Sequence, residues 1–307
     1  MILCCGEALI DMLPGRLASG DPAYAPHSGG AVFNTAIALG RLGVPVSFFT
    51  GLSTDFFGAQ LRADLEASGV DLRHARFSAR PTTLAFLKLA GGQASYAFYD
   101  ENSAGRMLTQ ADLPTLDDEV AALHFSCISL MPEPCGSTYE ALMRREHGRR
   151  VIMLDPNIRA AFVADREAHR QRLARMIAMA DIVKLSDEDL SWFNESGSPD
   201  AVAARWLEQG PKLVVLTAGA QGATGYARTG TVAVAAPSVD VADTVGAGDT
   251  FNAGLLAWLH DEGLLNKAAL ASLTDDQLAE AMTFAARAAA VTVSRAGANP
   301  PWRAELA

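Results

Sequence analysis

Apolar runs alternate with amphipathic stretches along most of the chain. The runs are bounded by turn residues and carry few charges, which is typical of strands buried on both faces of a sheet. They are MILCCGEALIDML, VPVSFFTGLS, AALHFSCISL, RRVIMLDPN, ADIVKLS and KLVVLTAG. Apolar residues at helical spacing predict helices over 29–43, 55–69, 136–147, 165–179, 199–209 and 250–263. Strands that alternate with helices in this way indicate an α/β fold with a mostly parallel central sheet.

Residues 82–109 depart from this alternation. They contain two strand-like runs on either side of AGGQ, and SYAFYD alternates apolar and polar residues as a half-exposed strand does. Together with residues 12–26 they are predicted to form a small β-sheet lid, inserted in a single α/β domain that spans residues 1–307. Several apolar side chains would lie on an exposed face of this lid, which favours a homodimer formed through it. They are Phe86, Leu89, Tyr96 and Phe98.

The composition is that of an ordinary globular enzyme, with 50% hydrophobic and 20% charged residues. A formal net charge of −10, without a dense Lys/Arg cluster, argues against nucleic acid as a partner. No run is long enough to span a membrane, and Glu7 and Asp11 interrupt the apolar N-terminus, so no signal peptide is predicted. The four cysteines form no CxxC pair and suit a reducing compartment. These features predict a cytoplasmic protein without a membrane partner.

The stretch DTVGAGDTF, residues 243–251, is predicted to lead from a loop into a helix. Gly246 and Gly248 let a ligand approach the main chain closely, and a helix N-terminus offers unpaired N–H groups to an anion. Asp249 would repel a phosphate there unless it has another task, such as accepting a proton. The stretch therefore indicates an anion hole with a base at its rim. The alternative is a plain helix start in which Asp249 is the capping residue.

Five segments occur in a telling order along the chain. They are GEALID, GGAVFNTA, DPNIR, LTAGAQGA and DTVGAGDTF. This order resembles the PfkB (ribokinase-like) sugar kinases, and within them the bacterial fructokinases. The resemblance covers nearly the whole chain and implies a ribokinase-like three-layer fold with a small β-sheet lid. No P-loop of the form GxxxxGK[ST] is present, so phosphate would be bound differently than in Walker-type kinases.

The resemblance implies how phosphoryl transfer is catalysed. Asp249 is the base that accepts the proton of the sugar hydroxyl. The backbone N–H groups of Gly246, Ala247 and Gly248, with that of Val245, form a hole for the transferring phosphoryl group. The start of the helix is expected to lower the pKa of Asp249.

The resemblance also implies a sugar site. Asp11 and Asn34 are similar to the family's hydroxyl-binding pair, and the glycines before Asn34 allow close backbone approach. Arg159 is similar to an arginine near sugar and phosphate, a task that suits a planar guanidinium. Phe98 would cover the sugar, although packing in the core or a dimer is an alternative. The implied substrate-binding residues are Asp11, Gly29, Gly30, Asn34, Phe98 and Arg159.

For the nucleotide, the resemblance implies an ATP-side turn followed by an Ala-rich helix, FAARAAAVTVSRAGA, beside the adenine. The implied ATP-binding residues are Lys184, Thr217, Gly219 and Gly222. The family's Asn-x-x-Glu motif, which binds Mg²⁺ through water, is replaced here by the segment from Ser186 to Asp189. Asp189 would take the Glu position, with Glu188 as a substitute. The family's potassium site stays open, with Pro301 in place of a serine ligand as the feature that argues against it.

These features predict a kinase that uses ATP and Mg²⁺ to phosphorylate a sugar, with fructose favoured. A 2-keto-3-deoxygluconate kinase and another sugar or nucleoside kinase of the family are the alternatives. A non-catalytic sugar sensor is the alternative from another class, but a sensor has no need of Asp249. A dinucleotide-binding Rossmann protein is excluded because no GxGxxG follows the first predicted strand.

Overall fold

The computed structural model describes residues 1–90 and 93–306, which form fourteen β-strands and nine α-helices. The strands are β1 (Ile2–Cys5), β2 (Leu9–Arg16), β3 (Pro22–Gly29), β4 (Val46–Phe49), β5 (Gly51–Ser53), β6 (Arg76–Ser78), β7 (Thr83–Ala90), β8 (Gln93–Tyr99), β9 (Ala122–Ser126), β10 (Val151–Asp155), β11 (Ile182–Ser186), β12 (Leu213–Thr217), β13 (Ala223–Ala227) and β14 (Thr231–Val234). The helices are α1 (Ala31–Arg41), α2 (Phe56–Ala67), α3 (Cys135–Glu146), α4 (Arg166–Met179), α5 (Asp187–Phe193), α6 (Pro199–Gln209), α7 (Ala247–Asp261), α8 (Lys267–Ala271) and α9 (Asp275–Val293).

Eight strands form the central sheet in the order β14-β13-β12-β11-β10-β9-β1-β4. The six strands from β12 to β4 are parallel, whereas β13 and β14 add to the edge in antiparallel fashion. Side chains of β1 alternate between two apolar cores: Ile2 and Cys4 pack with α1, α7 and α9, and Leu3 and Cys5 pack with α3, α4 and α6. The predicted α/β fold, a mostly parallel sheet between two helix layers, is confirmed.

The run MILCCGEALIDML was predicted as one buried strand, but it forms two strands in different sheets. The chain leaves the central sheet after β1, and β2 belongs to the lid instead. A Cβ at Gly6 would lie 2.3 Å from Cγ2 of Val32, so the backbone here runs against α1. The carboxylate of Glu7 then accepts a hydrogen bond of 2.8 Å from the N–H of Ala31 at the start of that helix. Because these contacts end the strand, Asp11 lies in the lid and not at the end of a central strand.

The lid is a four-stranded sheet in the order β3-β2-β7-β8. Asp11, Ala85 and Phe98 lie opposite one another across it and share one face, whereas Phe86 pairs with Ala97 on the other. The prediction that Phe86 and Phe98 share an exposed face is therefore wrong, because the register places them on opposite sides. The side chains of Leu89 and Tyr96, and the predicted turn at 91–92, lie outside the described residues.

Within the described part of the chain, no helix combines the length and the apolar character needed to cross a lipid bilayer.

Candidate active site

A cleft of about 1140 Å³ lies between the lid and the carboxyl ends of the central strands. It is lined by all but one of the residues predicted for the site. These are Asp11, Gly30, Asn34, Phe98, Arg159, Lys184, Glu188, Asp189, Thr217, Gly219, Gly222, Gly246, Ala247, Gly248 and Asp249. The exception, Gly29, lies behind Asp11, where a Cβ would come within 2.3 Å of the Asp11 Oδ2 atom.

The loop before α7 is held in a conformation that only glycine adopts easily. Gly246 has a φ of +78°, and a Cβ there would lie 2.7 Å from Cβ of Ala298. Asp243 fixes the loop, since its carboxylate accepts hydrogen bonds from the N–H groups of Val245 (3.0 Å) and Gly297 (2.9 Å). Among the described residues, the N–H groups of Gly246 and Gly248 have no protein acceptor. Two of the four donors predicted for the anion hole are thus free to bind an anion. The N–H groups of Val245 and Ala247 are not, because they donate to Asp243 and to the carbonyl oxygen of Thr244 (3.3 Å).

Asp249 lies in the first turn of α7 but does not cap it. The helix has no side-chain cap, and the Asp249 carboxylate instead accepts a hydrogen bond of 2.9 Å from Nδ2 of Asn34. Burial raises its pKa to about 7, against the opposing effects of the Asn34 hydrogen bond and of the Lys184 and Arg159 charges. The expected lowering of this pKa is therefore wrong, because loss of water outweighs the Asn34 hydrogen bond and the two positive charges.

A buried polar cluster lies beneath the anion hole. Lys184 Nζ is 3.1 Å from Oδ2 of Asp155, and Nδ2 of Asn252 donates to the same oxygen at 2.7 Å. A Cβ at Gly248 would lie 3.0 Å from Lys184 Nζ, so the ammonium is directly below the backbone of the hole. Neither Asp155 nor Asn252 was among the residues predicted for the site, and Asn252 gives no signal because it lies inside an apolar helix.

The end of the cleft that was predicted to bind the sugar contains Asp11 and Arg159. Burial raises the pKa of Asp11 to about 6, and the charge of Arg159 counteracts this rise. The Arg159 side chain is exposed to the cleft and is held by a hydrogen bond of 2.6 Å from Nη1 to Oδ1 of Asn157. Phe98 packs edge-on against Phe162 with ring centroids 4.4 Å apart. A carboxylate, a guanidinium and an aromatic wall thus face one space.

Cys127 also lines this end, and sequence reasoning missed it. Its φ of +61° is unusual for a residue other than glycine and marks a sharp turn at the end of β9. No feature of the sequence SCISL indicates this backbone conformation.

The opposite end of the cleft suits a nucleotide. Gly219 and Gly222 have φ values of +51° and +97°, and a Cβ at Gly222 would lie 2.1 Å from the carbonyl oxygen of Val234. Thr217 ends β12 beside them. The adjoining wall is small and apolar and comes largely from the predicted Ala-rich helix, with the residues Ala286, Ala289, Ala290 and Val293 of α9.

The two predicted metal-binding carboxylates differ in their surroundings. Asp189 is buried and accepts hydrogen bonds from the N–H of Ile158 (2.7 Å) and from Oγ of Ser186 (2.8 Å). It therefore joins the start of α5 to the DPNIR loop. Glu188 is exposed on the cleft wall.

Known proteins share this architecture. The fructokinase of Xylella fastidiosa with bound ATP has a TM-score of 0.90 and 29% identity, over 99% of this chain and 97% of that one. The fructokinase of Vibrio cholerae O395 in the form with fructose, ADP and calcium ion has a TM-score of 0.81 and 26% identity, over 97% and 94% of the two chains. These neighbours agree with the predicted ribokinase-like three-layer fold.

Sequence comparison gives the same answer. The fructokinase of Rhizobium leguminosarum bv. trifolii is 58% identical over 278 residues, which are 91% of this chain and 85% of that relative. The family model for the pfkB family carbohydrate kinases matches residues 1–305. The predicted family is thus confirmed, and the chain belongs to the pfkB family of carbohydrate kinases.

Proposed function

We propose that the protein is a fructokinase that transfers the γ-phosphoryl group of ATP to a hydroxyl of fructose. The observation that carries this proposal is a buried carboxylate, Asp249, at the rim of an anion hole and open to the cleft. The relative at 58% identity supports fructose as the sugar, and the ATP-bound neighbour supports ATP as the donor. A sugar sensor would have no use for a proton acceptor at this place.

Asp249 acts as the general base in this proposal. Its pKa of about 7 is close to neutral pH, where the carboxylate is about half ionised and the ionised form still binds a proton well, which is the compromise that favours a general base. The hydrogen bond from Asn34 fixes one carboxylate oxygen and leaves the other to accept the proton of the sugar hydroxyl. A base held in this way needs no rearrangement at the moment of transfer.

The anion hole and Lys184 bind the transferring phosphoryl group. Phosphoryl transfer passes through a loose transition state, so catalysis depends on position and charge more than on covalent help. The free N–H groups of Gly246 and Gly248 and the ammonium below them supply fixed positive charge. Since the cluster is buried, water screens these interactions little.

The sugar lies between the lid and Asp249 in this proposal. Asp11 accepts hydrogen bonds from sugar hydroxyls, Arg159 donates near the sugar and the phosphoryl group, and Phe98 covers the ring. All three side chains line the same cleft as Asp249. A shared space for hydroxyl acceptors and a base is what sugar phosphorylation requires.

Mg²⁺ bound with ATP would neutralise charge on the β- and γ-phosphoryl oxygens. Glu188 would contact the ion through water, because its carboxylate is exposed on the cleft wall. Asp189 supports this segment, since its oxygens already accept hydrogen bonds from Ile158 and Ser186. The hard carboxylate oxygens of Glu188 suit this metal.

The lid also forms a homodimer in this proposal. Phe86 contacts Tyr24 and Tyr99 edge-on, with ring centroids 5.1 and 5.4 Å apart, on the face that points away from Phe98. Tyr99 is 63% exposed and Tyr24 is 45% exposed. An aromatic row of this kind is typical of a protein interface, and a two-fold axis would cover both rows with one self-complementary surface.

A panel of acceptors tests the proposed function. ADP release is followed with ATP, Mg²⁺ and either fructose, glucose, 2-keto-3-deoxygluconate or a riboside, and NMR locates the new phosphate ester. Fructose should give the largest kcat/KM. A larger value with another acceptor would reassign the substrate. Calorimetric binding of fructose without ADP release from any acceptor would favour the sensor.

A further inference from the structure

Three polar residues are almost completely buried under the start of α7. Asp155 is 1% exposed, Lys184 is 4% exposed and Asn252 is fully buried. They come from β10, β11 and α7, and their side chains meet at Oδ2 of Asp155. Burying charges costs several kcal/mol per ion unless they are paired with good geometry. Burying the Asp155–Lys184 pair therefore costs desolvation free energy. Apolar side chains could fill the same space without this cost, so packing alone does not explain the pair.

The Asp155 carboxylate is fixed from three directions. Oδ2 accepts from Lys184 and Asn252, and Oδ1 accepts from the N–H of Asn157 at 3.1 Å. Of the described residues, Asp155 is the acceptor that Lys184 Nζ reaches, so the other two N–H bonds of the ammonium remain available. Nζ also lies close to the Gly248 backbone, whose N–H is unpaired.

We propose that Asp155 is a positioning residue for phosphoryl transfer: it holds the Lys184 ammonium beneath Gly248, where the ammonium binds the transferring phosphoryl group. This inference rests on the proposed kinase function and extends it to a residue that does not touch the substrate. Asn252 acts with Asp155, because its amide keeps the carboxylate turned toward the lysine. A rigid ammonium costs less entropy on binding phosphate than the free side chain of a surface lysine.

The pair also acts on the base. The groups that face Asp249 are Asn34 from α1, Cys127 after β9, Asp155 from β10, Arg159 after β10 and Lys184 from β11. The negative charge of Asp155 raises the pKa of Asp249, whereas the positive charge of Lys184 lowers it. Removing one charge of the pair should therefore shift this pKa in the direction opposite to removing the other.

The test uses Asp155→Asn, Lys184→Met and the double variant. The acid limb of kcat/KM for fructose should move to lower pH in Asp155→Asn and to higher pH in Lys184→Met, each by about one unit. In the double variant it should return close to the wild-type position. Shifts of the same sign, or a missing shift in either single variant, would overturn the proposal, because it places both charges beside Asp249, where each acts on the pKa of the base.

A second readout needs no sugar. Titration calorimetry should show that Asp155→Asn and Lys184→Met each weaken ATP more than ADP, by about tenfold in the ratio of the two Kd values. The double variant should lose no more than either single variant, since the two residues act as one unit. Additive losses, or equal losses for ATP and ADP, would contradict the proposal.

The chain supplies a matched control. Asp181 is also buried, at 4% exposure, and pairs with Lys267 at the opposite end of the central sheet. Asp181→Asn should lower the unfolding free energy without moving the acid limb or the ATP to ADP ratio. If wild-type protein fails to phosphorylate fructose, the proposed function fails, yet the ATP and ADP titrations still decide the role of Asp155.

Discussion

Two ends of the cleft differ in how deeply the protein buries them. The phosphate end is the region around Asp155, Lys184 and Asp249, and the lid end is the region under the four-stranded lid sheet. Asp155, Lys184 and Asp249 are 1%, 4% and 7% exposed, and each is held by core strands or helices. The lid is a sheet of four strands that leaves Tyr99 63% exposed on its outer face. The charges proposed to act on the phosphoryl group thus lie where water screens them least. The residues proposed to bind the sugar lie partly on a thin sheet at the surface.

This contrast suggests a division of tasks. A rigid core keeps the distances between base, anion hole and ammonium fixed, which preorganised catalysis requires. A sheet at the mouth of the cleft is suited to open for sugar and close over it, and closure would keep water from competing with the hydroxyl. Changes at the phosphate end should therefore affect kcat, whereas changes at the lid should affect sugar affinity and assembly.

The largest effect is expected from Asp249→Asn. The amide keeps the shape and can still contact Asn34 but cannot accept the proton. We expect kcat to fall by about 10²–10⁴-fold while fructose affinity, measured by calorimetry, changes little. Asp261→Asn at the other end of α7 is the control and should keep full activity. Retention of more than about a tenth of kcat in Asp249→Asn would exclude the base role.

Asp11→Ala should act on the sugar and not on the nucleotide. A charged hydrogen bond in a buried site contributes about 1.5–3 kcal/mol, so KM for fructose should rise by roughly 10–150-fold with little change in KM for ATP. Asp21→Ala, in the exposed turn of the lid, is the control and should leave both values unchanged. Unchanged fructose affinity in Asp11→Ala would show that the sugar does not contact this carboxylate.

The pH dependence separates the two ends further. Asp249, with a pKa of about 7, must be ionised to act, so kcat/KM should fall about tenfold per pH unit below 7. Asp11, with a pKa of about 6, should steepen the fall at lower pH because its protonation weakens sugar binding. Rates measured from pH 5 to 9 test both statements. A fall in kcat/KM only near pH 4 would mean that neither carboxylate has a raised pKa.

The buried base should also cost stability. The pKa of Asp249 is raised from 3.8 to about 7, so its contribution to stability is fully present below pH 4 and is lost as the pH rises to 7. Asp249→Asn should thus gain stability relative to wild type between pH 4 and 8, by at most about 4 kcal/mol. Denaturant unfolding of both proteins at pH 4 and at pH 8 measures this gain in the free energy of unfolding. Equal differences at both would contradict the shifted pKa.

The smallest expected effect, a twofold change in molecular mass, concerns assembly of the proposed dimer. Phe86→Asp places a charge in the centre of the aromatic row between Tyr24 and Tyr99, so we expect the mass from light scattering to halve and fructose binding to weaken. Phe56→Asp is the matched control, because Phe56 is 75% exposed on α2 and lies outside the lid. A wild-type monomer at micromolar concentration would refute the proposed dimer.

Local features of the sequence predicted much of the fold and part of the site. The helix at 199–209 and the strand VIMLD follow directly from the spacing of apolar residues, since periodicity reports which face is buried. The antiparallel edge strands β13 and β14 were not predicted, because short sequences such as ATGYA and TVAV carry little periodic signal. Asn252 was missed for a similar reason, as one amide in an apolar helix has no distinguishing neighbour.

By itself, the sequence determined the contiguous parts of the site. Gly246, Gly248 and Asp249 lie within four residues of one another, so the geometry of a single loop and helix start decides how they are arranged. The same holds for the alternation of strands and helices, because the spacing of apolar residues within each element shows whether one face or both faces are buried. Local backbone geometry is determined by residues that are neighbours in the sequence.

Only the tertiary structure decided what depends on distant neighbours. Asp155 meets Lys184 from 29 residues away and Asn252 from 97 residues away. The register of the lid, not its composition, placed Phe86 and Phe98 on opposite faces. The pKa of Asp249 was expected to fall at a helix start, yet it rises because packing from several elements removes water from the carboxylate. Burial and electrostatics are sums over the whole fold, and no local stretch of the sequence contains them.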